Sequence, residues 1–446
     1  MSNERPGNSV VEPRELRTMP TNREPGVYRF DGLSKVLAPK DDARPQRPPA
    51  VVASVFQTGL NLMRDLEQKG IRVVGVDCHA ENPGFRSCYG RSYLSPNPDK
   101  EPEKWLEFML ALAAAMGEKP VLIAAADIFV SAIGRHAQIL SEHFIFSVKG
   151  CLLQAELSTK ERQYELARQL GLPSPRSAYV QSVEELQAFI QDARFPVLLK
   201  PRAHREWEAL PAGNPLCGRK TISAATSEEL LSHYENVVAL VPQAVAQEEI
   251  VGPDSAKYCY LSVYAQDGHR LGACVVQELR AYPLLYGCAT LVEPVVDDEI
   301  DEACNKFLLA LGFAGVCEIE LKRDIRDGRL LLIEVNPRVS GTGDCARYTG
   351  VETGYIHYLD LIGETPSPVA AIRFDFRHMM LVNDLSAFPK YLEQGLVGWW
   401  EYIRSLSGPM EFFDFDWRDA ANARRAVQRG LRALAGGLLR TWGFRK

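Results

Sequence analysis

The stretch Leu330–Gly341, LLLIEVNPRVSG, decides how this chain is read. Four apolar residues, Leu330 to Ile333, run straight into Glu334, Asn336 and Arg338. That is the pattern of a buried strand that ends by presenting a carboxylate, an amide and a guanidinium. Such groups are costly at the edge of a core unless something pairs them. Glu334 and Asn336 are two residues apart, so an extended chain puts both on one face. Two oxygen donors side by side suit a hard cation such as Mg²⁺, which usually travels with phosphates. Pro337 has no N–H to give a neighbouring strand and helps end this one.

A second carboxylate segment lies just upstream. GVCEIELKRD, Gly315 to Asp324, alternates Cys317, Ile319 and Leu321 with Glu318, Glu320 and Lys322. Asp327-Gly328 is a hairpin signal between the two runs. Glu320 and Glu334 are therefore expected to face each other across an antiparallel pair, with Glu318 on the same face. A hairpin with a solvated polar face would give the same alternation. The apolar run before Glu334, which reads as buried on both sides, argues against it.

A carboxylate strand, a DG turn and then E-x-N-x-R resembles the metal site of ATP-grasp enzymes, and IEVNPRVSG is most similar to their carbamoyl-phosphate synthetase and biotin carboxylase branch. The resemblance implies an α/β chain with an ATP-grasp fold, two α+β lobes clasping a nucleotide, preceded by a small Rossmann-like parallel-sheet domain. It implies ATP and Mg²⁺ (or Mn²⁺) as cofactors, with two ions held by Glu320, Glu334 and Asn336. Arg338 would face the transferred phosphoryl group. So would Arg280, in QELRAYPLLYGCATLVEP, where an arginine faces the phosphate or the carboxylate substrate; a surface ion pair is the alternative role for it. Lys160 sits in a helix first turn, where a cation opposes the helix dipole unless it meets an anion. Lys200 emerges from the buried run VLL of FPVLLKPR, where a lysine needs an acidic or phosphate partner. Both match nucleotide-contacting lysines of the family. Lys220 opens KTISAA after the loop Ala203 to Arg219. That loop is long and poor in glycine, and is similar to the longer loop of D-aspartate-ligase-like members rather than to a dense glycine lid. AVAQEEIVG, Ala244 to Gly252, resembles the hinge between the lobes, making Gln247, Glu248, Glu249 and Ile250 the adenine and ribose candidates.

The chain has 446 residues, enough for two or three domains, with 46% hydrophobic and 24% charged residues, as in ordinary globular proteins. A formal charge of -6 argues against nucleic-acid binding by the chain as a whole. Ten cysteines without a C-x-x-C pair read as reduced thiols in a cytoplasmic setting. The expected organisation is a polar arm over 1–48, the Rossmann-like domain over 49–150, the small lobe over 151–251, the large lobe with the metal site over 252–366, and an extension over 367–446. In the first domain AVVASVF and IRVVGVD read as parallel strands flanking a helix, followed by a single helix from Ile128 to His143. The turn between those strands lacks G-x-G-x-x-G, which speaks against a nicotinamide site. His79, Asp127 and Phe129, and Arg347 further on, are candidates for the acceptor pocket by position. The extension carries Trp399, Trp400, Phe412, Phe413, Phe415 and Trp417, expected in a core or an oligomer contact such as a homodimer. It ends in an Arg-rich amphipathic helix suited to an anionic membrane surface or a protein partner.

Together these readings predict an ATP-dependent carboxylate–amine ligase that works through an acyl phosphate and acts on small-molecule carboxylate and amine substrates. The alternatives are a bicarbonate-activating carboxylase-type enzyme and an ATP-binding regulatory protein with weakened turnover.

Overall fold

The computed structural model describes residues 28–38, 47–157, 159–201, 207, 210–211, 213–219, 221–241, 243–369 and 371–441. Its first layer is a parallel sheet of four strands in the spatial order Arg91–Leu94, Val73–Asp77, Ala50–Ala53 and Val121–Ala124. AVVA and VVGVD are buried at every position, as strands covered on both faces must be. Helix Pro102–Met116 opens with proline in its first turn and stops at Gly117, whose φ of 70 suits glycine. The helix expected over Ile128 to His143 is instead two, Asp127–Arg135 and Ala137–His143, divided at His136. The buried His136 ring lies 6.3 Å from Trp105, so packing overrides the continuous apolar period there.

Alternate residues of this sheet feed two cores. Val51 and Ala53 join Trp105, Phe108 and Phe129, while Ala50 and Val52 join Val316, Val339, Ile356 and Leu359. Val316 lies in the largest described sheet, Val339 just follows its edge strand, and Ile356 and Leu359 sit on helix Thr353–Leu361, so the two layers share one apolar seam.

A second four-stranded sheet, antiparallel throughout, runs Ser177–Val180, Ala244–Glu248, Val197–Pro201, Ile222–Ala224. Helices Val183–Ile190 and Ser227–Val238 cover one face through Leu186, Leu230 and Tyr234. Ser182 and Thr226 cap them by accepting from the Glu185 and Glu229 N–H groups. The other face carries Lys200 and Gln247.

The largest sheet has seven strands, in the order Leu330–Asn336, Gly315–Arg323, Lys257–Tyr264, Arg270–Tyr282, Cys288–Val295, Arg377–Met379 and Met410–Phe412. Only the last pair is parallel. Cys317, Ile319 and Leu321 point into a core with Phe307 and Leu308 of helix Asp298–Ala310. The turn after Arg323 closes at Gly328, with φ 75, as the DG signal requires.

The last two strands come from the C-terminal extension, and a buried ion pair holds that extension in place. Arg280 donates from Nε and Nη2 to both carboxylate oxygens of Asp384 at 2.8 and 2.9 Å, and from Nη1 to Ser405 at 2.7 Å. Thr290 and Tyr402 hydroxyls also donate to Asp384, each at 2.8 Å. Arg280 and Asp384 are almost wholly buried. Of the extension's aromatic residues, Phe413 is buried, whereas Trp399, Trp400 and Trp417 are exposed, so these three are not core. Removing one member of a fully buried pair strands the other charge. Arg280→Ala should therefore destabilise the protein by about 3–5 kcal/mol in denaturant unfolding, and loosen 377–441 to proteolysis first.

Candidate active site

The hairpin of Gly315–Arg323 and Leu330–Asn336 sets Glu318 opposite Asn336 and Glu320 opposite Glu334. A bulge after Glu320 shifts the register, so Leu321 pairs with Leu332 and Ile333 is the extra residue. Two carboxylates thus stand directly across from each other, an arrangement that costs stability by itself. The Asn336 amide donates to Glu318 Oε2 at 3.0 Å and to Glu320 Oε1 at 2.9 Å. The other Glu318 oxygen is buried without a partner among the described residues. Burial, then the charges of Glu318 and Glu334, drives the Glu320 carboxyl far above the usual carboxylate range. Burial also raises Glu318, with the Arg338 guanidinium pulling it back.

Glu278, one strand removed from the hairpin across Lys257–Tyr264 and absent from the sequence reading, belongs to the same acidic field. Burial pushes it to about 7 despite Lys257, whose ammonium lies 3.3 Å away. The set is hard oxygen in excess of local positive charge, which is what a divalent cation would relieve. Glu320, Glu334 and Asn336 therefore fit Mg²⁺, with Glu318 alongside.

The opposite wall supplies the cations. Lys160, in the first turn of helix Lys160–Leu170, lies 3.6 Å from Glu334, and that carboxylate raises its pKa. Gln163, one turn on, fixes the helix to the strand. Its amide accepts from the Val335 N–H at 2.9 Å and donates to the Val335 carbonyl at 2.7 Å, satisfying the exposed edge between Glu334 and Asn336. Tyr164 adds a bond of 2.8 Å to the Ile333 carbonyl. Lys200 donates to the Gln247 side-chain oxygen. Burial, and next the Lys160 charge, lowers the Lys200 ammonium to about 7. A lysine whose ammonium is lowered by burial and by a second lysine beside it is poised for an anion that restores its charge.

The hinge residues divide. Gln247 faces Lys200, and its amide nitrogen is buried without a partner among the described residues. Glu249 accepts from Ser223 at 2.5 Å and Tyr286 at 2.9 Å, and Ile250 is buried beside it. Glu248 turns to the far face and accepts from the Arg194 N–H at 2.9 Å, so strand alternation takes it away from the Lys200 side.

Arg338 forms a bidentate pair with Asp127, Nε to Oδ1 at 2.5 Å and Nη2 to Oδ2 at 2.9 Å. The same Nη2 donates to Asn336 Oδ1 at 3.2 Å. Asp127 starts a helix just beyond the C-terminal end of strand Val121–Ala124 in the parallel sheet. The first layer thus delivers a carboxylate to the guanidinium of E-x-N-x-R, a link that sequence separation hid. Phe129 is a core residue and Arg347 pairs with Asp65. His79 is half-exposed beside Asp77, whose carboxylate is already occupied by the N–H groups of Val55 and His79 and by Asn82.

Arg280 does not reach this site. Its bonds to Asp384 and Ser405 commit it to the extension, which corrects its assignment as a phosphoryl-facing group. Lys220 lies outside the described residues, as do 203–206, 208–209 and 212 of the loop before it.

The acidic field gives a test that needs no substrate. Glu320 holds its proton to higher pH in the folded chain than in the unfolded one, so the wild-type protein loses stability as pH rises above the ordinary carboxylate range. Glu320→Gln removes that loss. It should melt higher than wild type, with the gap widening as pH rises above the ordinary carboxylate range, and bind Mg²⁺-nucleotide more weakly. A melting series without nucleotide checks the first part.

No family model matches the chain. A D-aspartate ligase of Enterococcus faecium (strain Aus0004) is 26% identical over 261 residues, 54% of this chain and 59% of the relative. The arginine-specific large chain of carbamoyl phosphate synthase from Geobacillus stearothermophilus is 27% identical over 198 residues, 43% of this chain and 17% of the relative. Each match thus spans less than two thirds of the relative's own length. Among solved structures, the biotin carboxylase domain of Hydrogenobacter thermophilus 2-oxoglutarate carboxylase, in complex with MgADP and bicarbonate, superposes with a TM-score of 0.56 at 18% identity. That superposition covers 75% of this chain and 74% of the domain. The chain therefore has the ATP-grasp fold behind a parallel α/β layer, and its sequence relatives are members of the ATP-grasp superfamily.

Proposed function

We propose that this chain is an ATP-dependent carboxylate–amine ligase that activates a small carboxylate as its acyl phosphate and releases ADP and phosphate. The observation that carries the reading is the convergence of Glu320, Glu334 and Asn336 from one lobe with Lys160 and Lys200 on the facing wall. A relative that is a D-aspartate ligase supports an amino-acid-like carboxylate or amine.

In this mechanism Lys160 and Lys200 bind the phosphates, and Gln247, Glu249 and Ile250 border the nucleoside at the hinge. Glu320, Glu334 and Asn336 would hold Mg²⁺, which when bound would supply positive charge to offset the negative charge that builds up in phosphoryl transfer. Arg338, aligned by Asp127, stabilises the migrating phosphoryl group as a substrate carboxylate oxygen takes it. The carboxylate enters from the strand ends of the parallel sheet, the usual ligand side of such sheets. The amine then attacks the acyl carbon, the C–N bond forms and phosphate leaves. No protein nucleophile takes part, so catalysis is positioning and charge stabilisation.

Screening carboxylic and amino acids for substrate-dependent ADP release tests the assignment. Glu334→Ala and Asn336→Ala should lower that release by more than about 100-fold with the fold intact by circular dichroism. Tight ATP binding without turnover on any acid would overturn the reading in favour of a regulatory protein.

Lys200 gives an independent pH signature. Free Lys200 begins to lose its proton near neutrality, and triphosphate binding restores it. Nucleotide binding should take up close to one proton at about pH 8, and affinity should fall by up to about tenfold per pH unit above 7. Calorimetric titration of a non-hydrolysable ATP analogue in buffers of different ionisation enthalpy measures the uptake, which Lys200→Met should abolish.

A further inference from the structure

Helix Ala420–Thr441 packs on helix Leu381–Glu393 through small residues. Ala423 and Ala426 are buried, Gly430 meets Leu385, and Gly437 lies against Pro389. Those positions recur at helical spacing and form one seam. The remainder of the helix is turned outward. Arg424, Arg425, Arg429 and Arg432 are exposed, as are Val427, Leu431 and Leu439. None of these arginines pairs with an acid among the described residues.

Two features make this face unusual. First, residues 420–446 hold six arginines, one lysine and no acid, a charge of +7, so the other 419 residues carry -6 minus 7, or -13. Like charges three and four apart, as at 425 and 429 or 429 and 432, disfavour a helix, and the first turn has no acid to meet the dipole. Arg86 of the first layer sits near enough to Arg425 and Arg429 for their charge to oppose its own. Second, apolar side chains stand out beside the charge. Trp400 is 79% exposed and Trp417 is 73% exposed, with Ile403 and Leu396 also exposed. Phe388 of the supporting helix stacks on Tyr402, while its neighbour Pro389 meets Gly437. The segment 396–406 and the basic helix therefore flank the same turn of that support.

We propose that the basic helix and the Trp400 segment form one docking face for an anionic lipid bilayer, along which the helix lies in the headgroup plane. Exposed tryptophan and leucine fit the headgroup–acyl boundary, and unpaired arginines fit lipid phosphates. No described helix is long and apolar enough to cross a membrane, which agrees with lying on the surface. A second copy of the chain, which also offers acidic surface, is the alternative occupant that sedimentation tests.

The test is flotation of the full chain with vesicles of phosphatidylcholine, with and without phosphatidylglycerol. Binding to the anionic vesicles alone, weakened by salt and accompanied by a blue shift of tryptophan emission, is expected. Trp105 and Trp207 are fully buried, so the shift would report the outward ones. Arg425→Glu/Arg429→Glu should lower vesicle binding at least about tenfold, and Trp400→Ala should remove part of the shift, both with ADP release unchanged. Three results would overturn the proposal: equal binding to neutral vesicles, no binding to either, or a dimer by sedimentation that the arginine variant abolishes.

Discussion

Two glutamates facing each other across one hairpin, Glu320 and Glu334, set the terms for the rest of this structure. Like charges in register on a half-buried sheet are a standing cost, and folding alone gives no reason to keep them. Every nearby element moderates that cost without removing it. The Asn336 amide lies between Glu318 and Glu320, Lys160 approaches Glu334 from the adjoining helix, and Arg338 borders the far side. The outcome is a carboxylate set under-compensated by its own neighbours, so a bound cation would add charge balance that the chain itself does not supply.

Positioning follows from how the layers share residues. The parallel sheet and the seven-stranded sheet meet through one apolar seam that includes Val52, Val316 and Val339. Val339 immediately follows Arg338, so the same packing that joins the layers brings Asp127 to the guanidinium. The small lobe contributes differently. Its core lies on the helix-covered face, leaving Lys200 and Gln247 on the opposite face with one depressed ammonium and one unpartnered amide nitrogen. Lys160, on the helix packed against the acidic hairpin, and Lys200, on the separate lobe, thus bring positive charge to one place from two parts of the chain.

Local patterns were legible where period and turn chemistry agreed. The alternation of GVCEIELKRD, the DG turn and the apolar run before Glu334 were enough to place Glu320 opposite Glu334, because strand register follows the buried face. The bulge at Ile333 left no sequence signal. Long-range partners were illegible for a simpler reason. Asp127 and Arg338 are 211 residues apart, and Arg280 and Asp384 are 104 apart, so neither pairing has a local pattern. Gln163 was missed because a glutamine in a surface-type helix looks solvated until its carbonyl and amide are found on Val335. For Trp399, Trp400 and Trp417 the sequence left a core and an oligomer contact open, and their exposure removes the core, because the rule that aromatics are buried runs in one direction only.

The two arginines that looked alike in the sequence show what separates a structural charge from a functional one. Arg280 and Asp384 are closed: four donors reach one carboxylate, and Tyr402 lies 4.7 Å under the guanidinium. Nothing remains there for a ligand to improve. At the hairpin and beside it, by contrast, burial raises Glu318, Glu320 and Glu278 despite Arg338, Lys160 and Lys257 nearby. Completed hydrogen bonding makes a buried charge inert, whereas an incomplete set stores a preference for whatever completes it. By that measure the proposed chemistry belongs to the acidic hairpin, and the Arg280 pair is the clasp that attaches the C-terminal extension to the sheet.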